Sequence, residues 1–301
     1  MSDAMTNPYK NTLGTPQMRP SVAAFVDILG YSDYIDRVFN DKEEGKSEKE
    51  LNRLINALNE AQKYIKNKSG DSASQYYQMM QPEGQNTKRQ QDFQVRSFTD
   101  NLIIGYPIPE HSDAVSILLL VMDYIGYFQM EMAGEGYFIR GAISIGNLYI
   151  DEDIIFGPAL MEAYRAEQKL AVYPRVILCD TAMEPFQGDW QWGERRVSGV
   201  LKDSDQRVFI DYLKETVMIA YPDAGPFTEF LEKHKEAVSA KLIEFSEQPY
   251  IKTKYEWAAN YHNGFCNNYP EEFDDSHKIS QKLLATPPQP WIPTKARLSA
   301  D

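Results

Sequence analysis

The chain has 301 residues, of which 43% are hydrophobic and 25% charged, with a formal net charge of −13. That length and apolar content can bury a sizeable core, either as one generous domain or as a domain with an appendage. The acidic balance argues against a surface that coats nucleic acid, since neutralising phosphates takes clustered Lys and Arg, but an acidic enzyme can still bind a nucleotide if its pocket supplies a few local cations.

Residues 1–20 are polar and Pro-bearing, with no apolar centre, and read as a flexible arm rather than a signal peptide. AAFVDIL, from Ala23, reads as a first strand buried on both faces, because its apolar run is continuous rather than alternating. It carries a lone acid, Asp27, which a strand-end helix cap would explain as well as a functional role would. A helix is expected to start near Ser32 or Asp33, both good N-cap residues. In SEKELNRLINALNEAQKYIKN, the residues Leu51, Leu54, Ile55, Leu58 and Ile65 mark one helix face, with Ser47 and Glu50 as a capping box. Residues 67–92 are Gln/Ser-rich and read as an exposed polar loop.

FQVRSFTDNLIIGYP reads as strand, tight turn, strand, with Asp100 at the turn. A long, mostly buried helix is expected over 113–133. Its apolar run ILLLVM falls far short of the roughly 20 residues a membrane span needs. Residues 137–150 read as strand with a Gly-rich centre, and 158–171 as a helix with Pro158 at its first position. PRVILCD and RVFIDYL read as the last core strands. From Phe227 to about residue 268 the pattern is helical, and 286–301 is a Pro-rich tail. The expected fold is an α+β sandwich, with a core domain over 21–214, a helical extension over 215–285 and then the tail.

Two cysteines, Cys179 and Cys266, make neither a disulfide framework nor a zinc spacing and fit a reducing cytoplasm. The four histidines show no metal-ligand spacing. Tyr255, Trp257, Tyr261 and His262 are helically spaced and read as the packing face of the extension. Arg140 reads as structural, bonded within the sheet. Asp27 and Asp100 stand out as two acids placed where an apolar strand meets a turn. Side by side on adjacent strands they make a seat for two Mg²⁺ or Mn²⁺ ions, which take oxygen ligands and often only one or two carboxylates plus substrate phosphates.

VDILGYSDYI resembles the first metal-site motif of the class III nucleotidyl cyclases, and SFTDNLIIGYP their second. FIRGAISIGNLYI and GPALMEAYRAEQKLA are similar to the strand and helix that follow, so the resemblance covers residues 22–213 in order. It implies a ferredoxin-type βαββαβ core in which Asp27, Asp100 and the backbone carbonyl of Ile28 hold the two ions. It further implies that backbone amides around Gly30, Tyr31 and Ser32 face a triphosphate, Arg96 stands where purine cyclases read the base with Lys, and Arg165 stabilises the transition state. Lys202 falls loosely on the triphosphate lysine. The family builds its sites between two protomers, which implies a head-to-tail homodimer.

The departures carry information too. Met161 stands where the family has Asn, and Ile154 where adenylate cyclases keep an Asp, with Asp153 one place off. These changes point to another base or to a catalytically degenerate fold used as a sensor or interaction module. The DILGYS start, the IRGA strand and the GPALMEAY helix are similar to the bacterial Pycsar pyrimidine cyclases of anti-phage defence. That similarity implies cyclic UMP or cyclic CMP as product, acting on a separate effector protein. Arg offers only donors, which suits the two carbonyls of uracil better than the amine of cytosine, so UTP is the favoured substrate.

Overall fold

The computed structural model describes residues 7–40, 45–67, 94–110, 113–186, 199–214, 228–284 and 292–293. Its frame is a sheet whose central strand β1 (Arg19–Ile28) lies between β3 (Asn101–Pro107) and β4 (Ile139–Ile150), antiparallel to both. This explains the unbroken apolar run. From Ser21 to Leu29 every residue of β1 and its exit is buried, because both faces of a central strand are covered. Hairpin partner β2 (Gln94–Phe98) adds to β3, giving the order β2-β3-β1-β4. With helices between β1 and β2 and between β3 and β4, this is the βαββαβ pattern expected. Beyond β4 the sheet continues through β6 (Val176–Leu178), β8 (Val208–Ile210), β7 (Val200–Lys202) and β9 (Ile292–Pro293), while β5 (Ile155–Phe156) pairs only with the end of β4.

The sheet has two coverings. On one face, Val22, Ala24, Val26 and Ile104 meet α3 (Ala114–Gly134), which α2 (Lys46–Asn67) flanks. On the other, α4 (Pro158–Leu170) lies over β1 and β4: Tyr164 meets Phe25 edge to face, and the Ser144 hydroxyl donates to the Ala159 carbonyl at 2.6 Å. Helix α3 is long and apolar enough to cross a membrane by length and composition, but thirteen of its residues, Ile117, Ile125 and Met132 among them, are buried in this core. Asp113 caps its N-terminus.

Three expectations shift. The buried stripe of α2 runs through Leu54, Ala57 and Ala61, while Leu51 and Ile55 are exposed, because the alanines let α2 lie close against α3. Residues 7–18, expected as a loose arm, are anchored: Tyr9 is fully buried, its hydroxyl donates to Ser21 at 3.0 Å, and Asn7 donates to the Ile150 carbonyl at 3.0 Å. The Pro-rich tail supplies β9, which pairs with β7. Of the polar loop expected over 67–92, Asn67 ends α2 and the rest lies outside the described residues.

After the short α5 (Asp180–Met183), the C-terminal extension consists of α6 (Thr228–Glu244) and α7 (Pro249–Asn268), with α6 packed on α3. Tyr255, Trp257, Tyr261 and His262 are all buried against the core. They dock through polar contacts as well as area. Trp257 Nε1 donates to Asp203 at 2.8 Å, and Asp203 in turn pairs with the fully buried Arg175, whose guanidinium sits among the rings of Tyr173, Phe209 and Trp257. The extension is thus one body with the sheet.

Candidate active site

Strand register assembles the site. Residues directly opposite one another in neighbouring strands project from the same face, and Asp27 lies opposite Asn101 on β3 and Arg140 on β4. Asp100 precedes Asn101 in the two-residue turn of the β2–β3 hairpin. The other turn residue, Thr99, has a left-handed φ of 55°, unusual for a β-branched side chain. Its hydroxyl donates to Asp100 Oδ1 at 2.7 Å, and Asn101 Nδ2 donates to the same oxygen at 3.2 Å. Asp27, Ile28, Asp100 and Asn101 together line a small cavity of about 60 Å³ at this edge of the sheet.

The charges are arranged unevenly. Arg140 Nε and Nη2 both bond Asp27 Oδ2, at 3.2 and 2.9 Å, and Nη2 also lies 2.9 Å from Glu167 Oε1 on α4. Asp27 Oδ1 is buried and has no hydrogen-bond donor among the described residues. Burial, followed by the neighbouring Asp100, pushes the Asp27 carboxyl up to about 7, against the opposing pull of Arg140. The fully buried Glu167 is likewise pushed up by burial, with Arg140 opposing.

Two neighbouring carboxylates, one of them with a buried oxygen that no described residue bonds, are a donor set fitted to a hard divalent cation. The backbone carbonyl of Ile28 is a further oxygen at the same cavity. Among the described residues no three His, Cys, Asp or Glu side chains cluster as a metal site. The fit is therefore to an ion that takes two carboxylates and completes its shell with water or phosphate.

Just beyond Ile28 the chain turns at Gly30, whose φ of 75° suits glycine, and enters α1 (Tyr31–Asn40). A cavity of about 640 Å³ lies against this turn, bounded by Leu29, Gly30 and Asp33 on the core side and by α6 and α7 on the other. The backbone amides that open a helix there favour an anion. Tyr34 Oη lies 3.3 Å from Tyr137 Oη at the cavity wall.

The remaining sequence candidates are spread out. Arg96 lies opposite Ile103, which lies opposite Phe25, so it shares the sheet face of Asp27 roughly 12 Å away by strand spacing. Its Nε donates to the Asp151 carbonyl and Nη1 to the Val95 carbonyl, each at 2.8 Å, and Nη2 reaches Gln94 Oε1 at 3.4 Å. Arg165 is exposed on α4 and forms no ion pair with a described residue: Glu167 is held by Arg140, and Glu162 accepts from Thr181 at 2.8 Å. Lys202 is on β7, four strands from β1 and roughly 19 Å across the sheet, so a single chain does not bring it to Asp27. Sequence reading missed the part played by Arg140 and Glu167. The IRGA stretch gave a signal for Arg140, but only strand register shows which acid it meets.

No protein-family model and no curated protein matches the chain. Among solved structures it is similar to the adenylyl cyclase CyaB from P. aeruginosa, at 14% identity and a TM-score of 0.41 over 64% of this chain and 93% of that one. It is also similar to the guanylyl cyclase Cya2, at 12% identity and 0.36 over 64% and 91% of the two chains. A class III adenylyl cyclase-like ATP-binding protein from Pseudomonas aeruginosa gives 11% identity and 0.38, over 57% of this chain and 36% of that one.

Proposed function

We propose that this protein is a pyrimidine nucleotide cyclase that converts UTP to 3′,5′-cyclic UMP and pyrophosphate. The observation that carries the reading is the Asp27–Asp100 pair, with the orphaned Asp27 Oδ1, directly before a glycine turn into a helix N-terminus. Such a site offers oxygen ligands for divalent cations next to a place for phosphates. Asp27, Asp100 and the Ile28 carbonyl would hold two Mg²⁺ or Mn²⁺ ions. When bound, these ions supply a lowered pKa for the ribose 3′-hydroxyl and neutralise phosphate charge.

The protein's own residues account for the rest. Arg140 keeps Asp27 in place and favours its ionised form. Amides at Gly30, Tyr31 and Ser32 orient the phosphates, so that the ribose 3′-oxygen lies in line with the α-phosphorus and pyrophosphate can leave. Arg165, exposed and without an ion pair among the described residues, answers the charge that builds in the transition state from across a homodimer interface. Met161 and Tyr164, three residues apart on α4 and both exposed, offer apolar area to such an interface. Arg96 reads the base with the N–H groups its main-chain bonds leave over; a guanidinium has five. In this reading the product is a second messenger for a separate effector in anti-phage defence.

The test is to incubate purified protein with Mn²⁺ and each of the four ribonucleoside triphosphates, with Asp27→Ala alongside, and identify cyclic product by mass. Cyclic UMP lost in the mutant is expected. Cyclic CMP would keep the mechanism and overturn the base assignment. No cyclic product from a folded dimer would favour a degenerate sensor, for which Met161 in place of Asn is the sequence argument.

A further inference from the structure

The large cavity beside Gly30 is walled by cations, most of them matched. Arg37 and Lys241 both pair with Glu244, Arg53 with Glu135, and Lys233 with Glu229. Lys254, on α7 of the extension, differs. It is half-buried and forms no ion pair with any described residue, and its ammonium sits 5.2 Å from the centre of the Tyr250 ring.

Its position is fixed by its neighbour. Tyr255 packs edge to face on Phe138 at 5.3 Å, and the Phe138 carbonyl accepts from the Leu29 amide at 2.7 Å, which ties this turn of α7 to the β1–α1 turn. Lys254 lines the same cavity as Ile28, Leu29, Gly30 and Asp33, and Ile28 also lines the small cavity of Asp27 and Asp100. The charges near enough to act on it are Arg140 and Asp33. Burial, then Arg140, holds its ammonium below the usual lysine range, with Asp33 opposing. A half-buried cation that makes no ion pair among the described residues is costly, and a polyanionic ligand in the cavity it lines removes that cost.

We propose that Lys254 is a phosphate-binding residue of the nucleotide site, supplied by the C-terminal extension. The inference rests on the cyclase reading above and places there a lysine that Lys202, four strands away, does not supply within one chain. The extension then completes the site rather than merely bracing the core: the phosphates lie between the opening amides of α1 and Lys254, with the metal carboxylates on the far side of Ile28.

The experiment uses the full chain with Lys254→Met, Lys254→Arg and, as a control one turn-face away, Lys252→Met, whose lysine already pairs with Glu256 at 3.6 Å. Binding of inorganic tripolyphosphate in the presence of Mn²⁺ is measured by calorimetry, Mn²⁺ binding alone by electron paramagnetic resonance, and turnover as kcat and KM. Lys254→Met is expected to weaken tripolyphosphate binding about 10- to 100-fold. KM should rise more than kcat falls, with Mn²⁺ binding unchanged. Lys254→Arg should recover most of the affinity and Lys252→Met should behave as wild type. Wild-type affinity in a folded Lys254→Met protein overturns the inference while leaving the cyclase reading intact. A wild-type protein that binds neither Mn²⁺ nor tripolyphosphate overturns both. Should Lys254→Met fail to fold, Lys254→Gln is read against the same expectations.

Discussion

Arg140 gives two hydrogen bonds to one oxygen of Asp27, leaving the other, buried oxygen without a donor among the described residues. The same guanidinium carries Glu167, so one cation compensates two buried acids. Arg140→Met should therefore destabilise the protein by about 3 kcal/mol, since removing one partner of a buried pair strands the others. Arg140→Lys should keep part of that stability but lose the two-pronged hold on Oδ2, and with it at least 10-fold in affinity for Mn²⁺. Urea unfolding and Mn²⁺ titration read the two effects separately. A lysine variant with wild-type metal affinity would show that the fork geometry does not set the site.

Asp100 makes a contrary prediction. Its charge raises the proton affinity of Asp27 in the metal-free protein. Asp100→Asn should leave the folded protein at least as stable as wild type at pH 8, or more stable by roughly 1 kcal/mol, while abolishing metal-dependent activity. Stability and activity moving in opposite directions is the signature of a functional acid. A turn-forming Asp would lose stability instead, so parallel loss of both would assign Asp100 to the turn alone.

How far the sequence alone carried this picture varies with the physics of each part. The central strand, the hairpin and the long helix were legible because burial on both faces, a tight turn between two strands and a long apolar stretch leave local marks. Asp27 and Asp100 were legible for the same reason, as acids that break apolar runs. The Asp27–Arg140–Glu167 chain was not, because it joins residues 113 and 27 positions apart and exists only once β1, β4 and α4 are in register. Tyr9 was missed because a short polar segment hides a single anchoring ring, and Lys254 because nothing in a helical pattern tells which lysine lacks an acid.

The composite-site reading predicts complementation. Asp27→Ala and Arg165→Ala proteins should each be inactive, whereas mixing them under conditions that allow subunit exchange should restore activity. The ceiling is one good site per mixed dimer, so an equimolar mixture should recover about a quarter of wild-type activity, half of the dimers being mixed with one site each. Product formation against mixing ratio checks it. A mixture as dead as its components, with exchange verified by mass, would rule out a site shared between protomers.

A last prediction concerns the buried histidines of the extension. His262 Nε2 lies 2.9 Å from the His277 carbonyl, which can only accept, so His262 carries its proton there. Its Nδ1, 3.0 Å from His234 Nδ1, must then accept, which places the His234 proton on Nδ1 and leaves His234 Nε2 to accept from Tyr212 at 2.8 Å. In this arrangement both rings are neutral. Burial accordingly lowers His262 to about 4, and burial with the facing His262 holds His234 well below 6.5. The unfolded chain thus binds more protons than the folded one below pH 6.5. Stability should be full above that value and fall as the pH drops from 6.5 toward about 4, by roughly 3 kcal/mol for His262 alone. Replacing that ring, as in His262→Phe, should flatten much of this slope, and urea midpoints at pH 7.5, 6 and 5 would show it. An unchanged slope in the variant would place the acid sensitivity elsewhere in the fold.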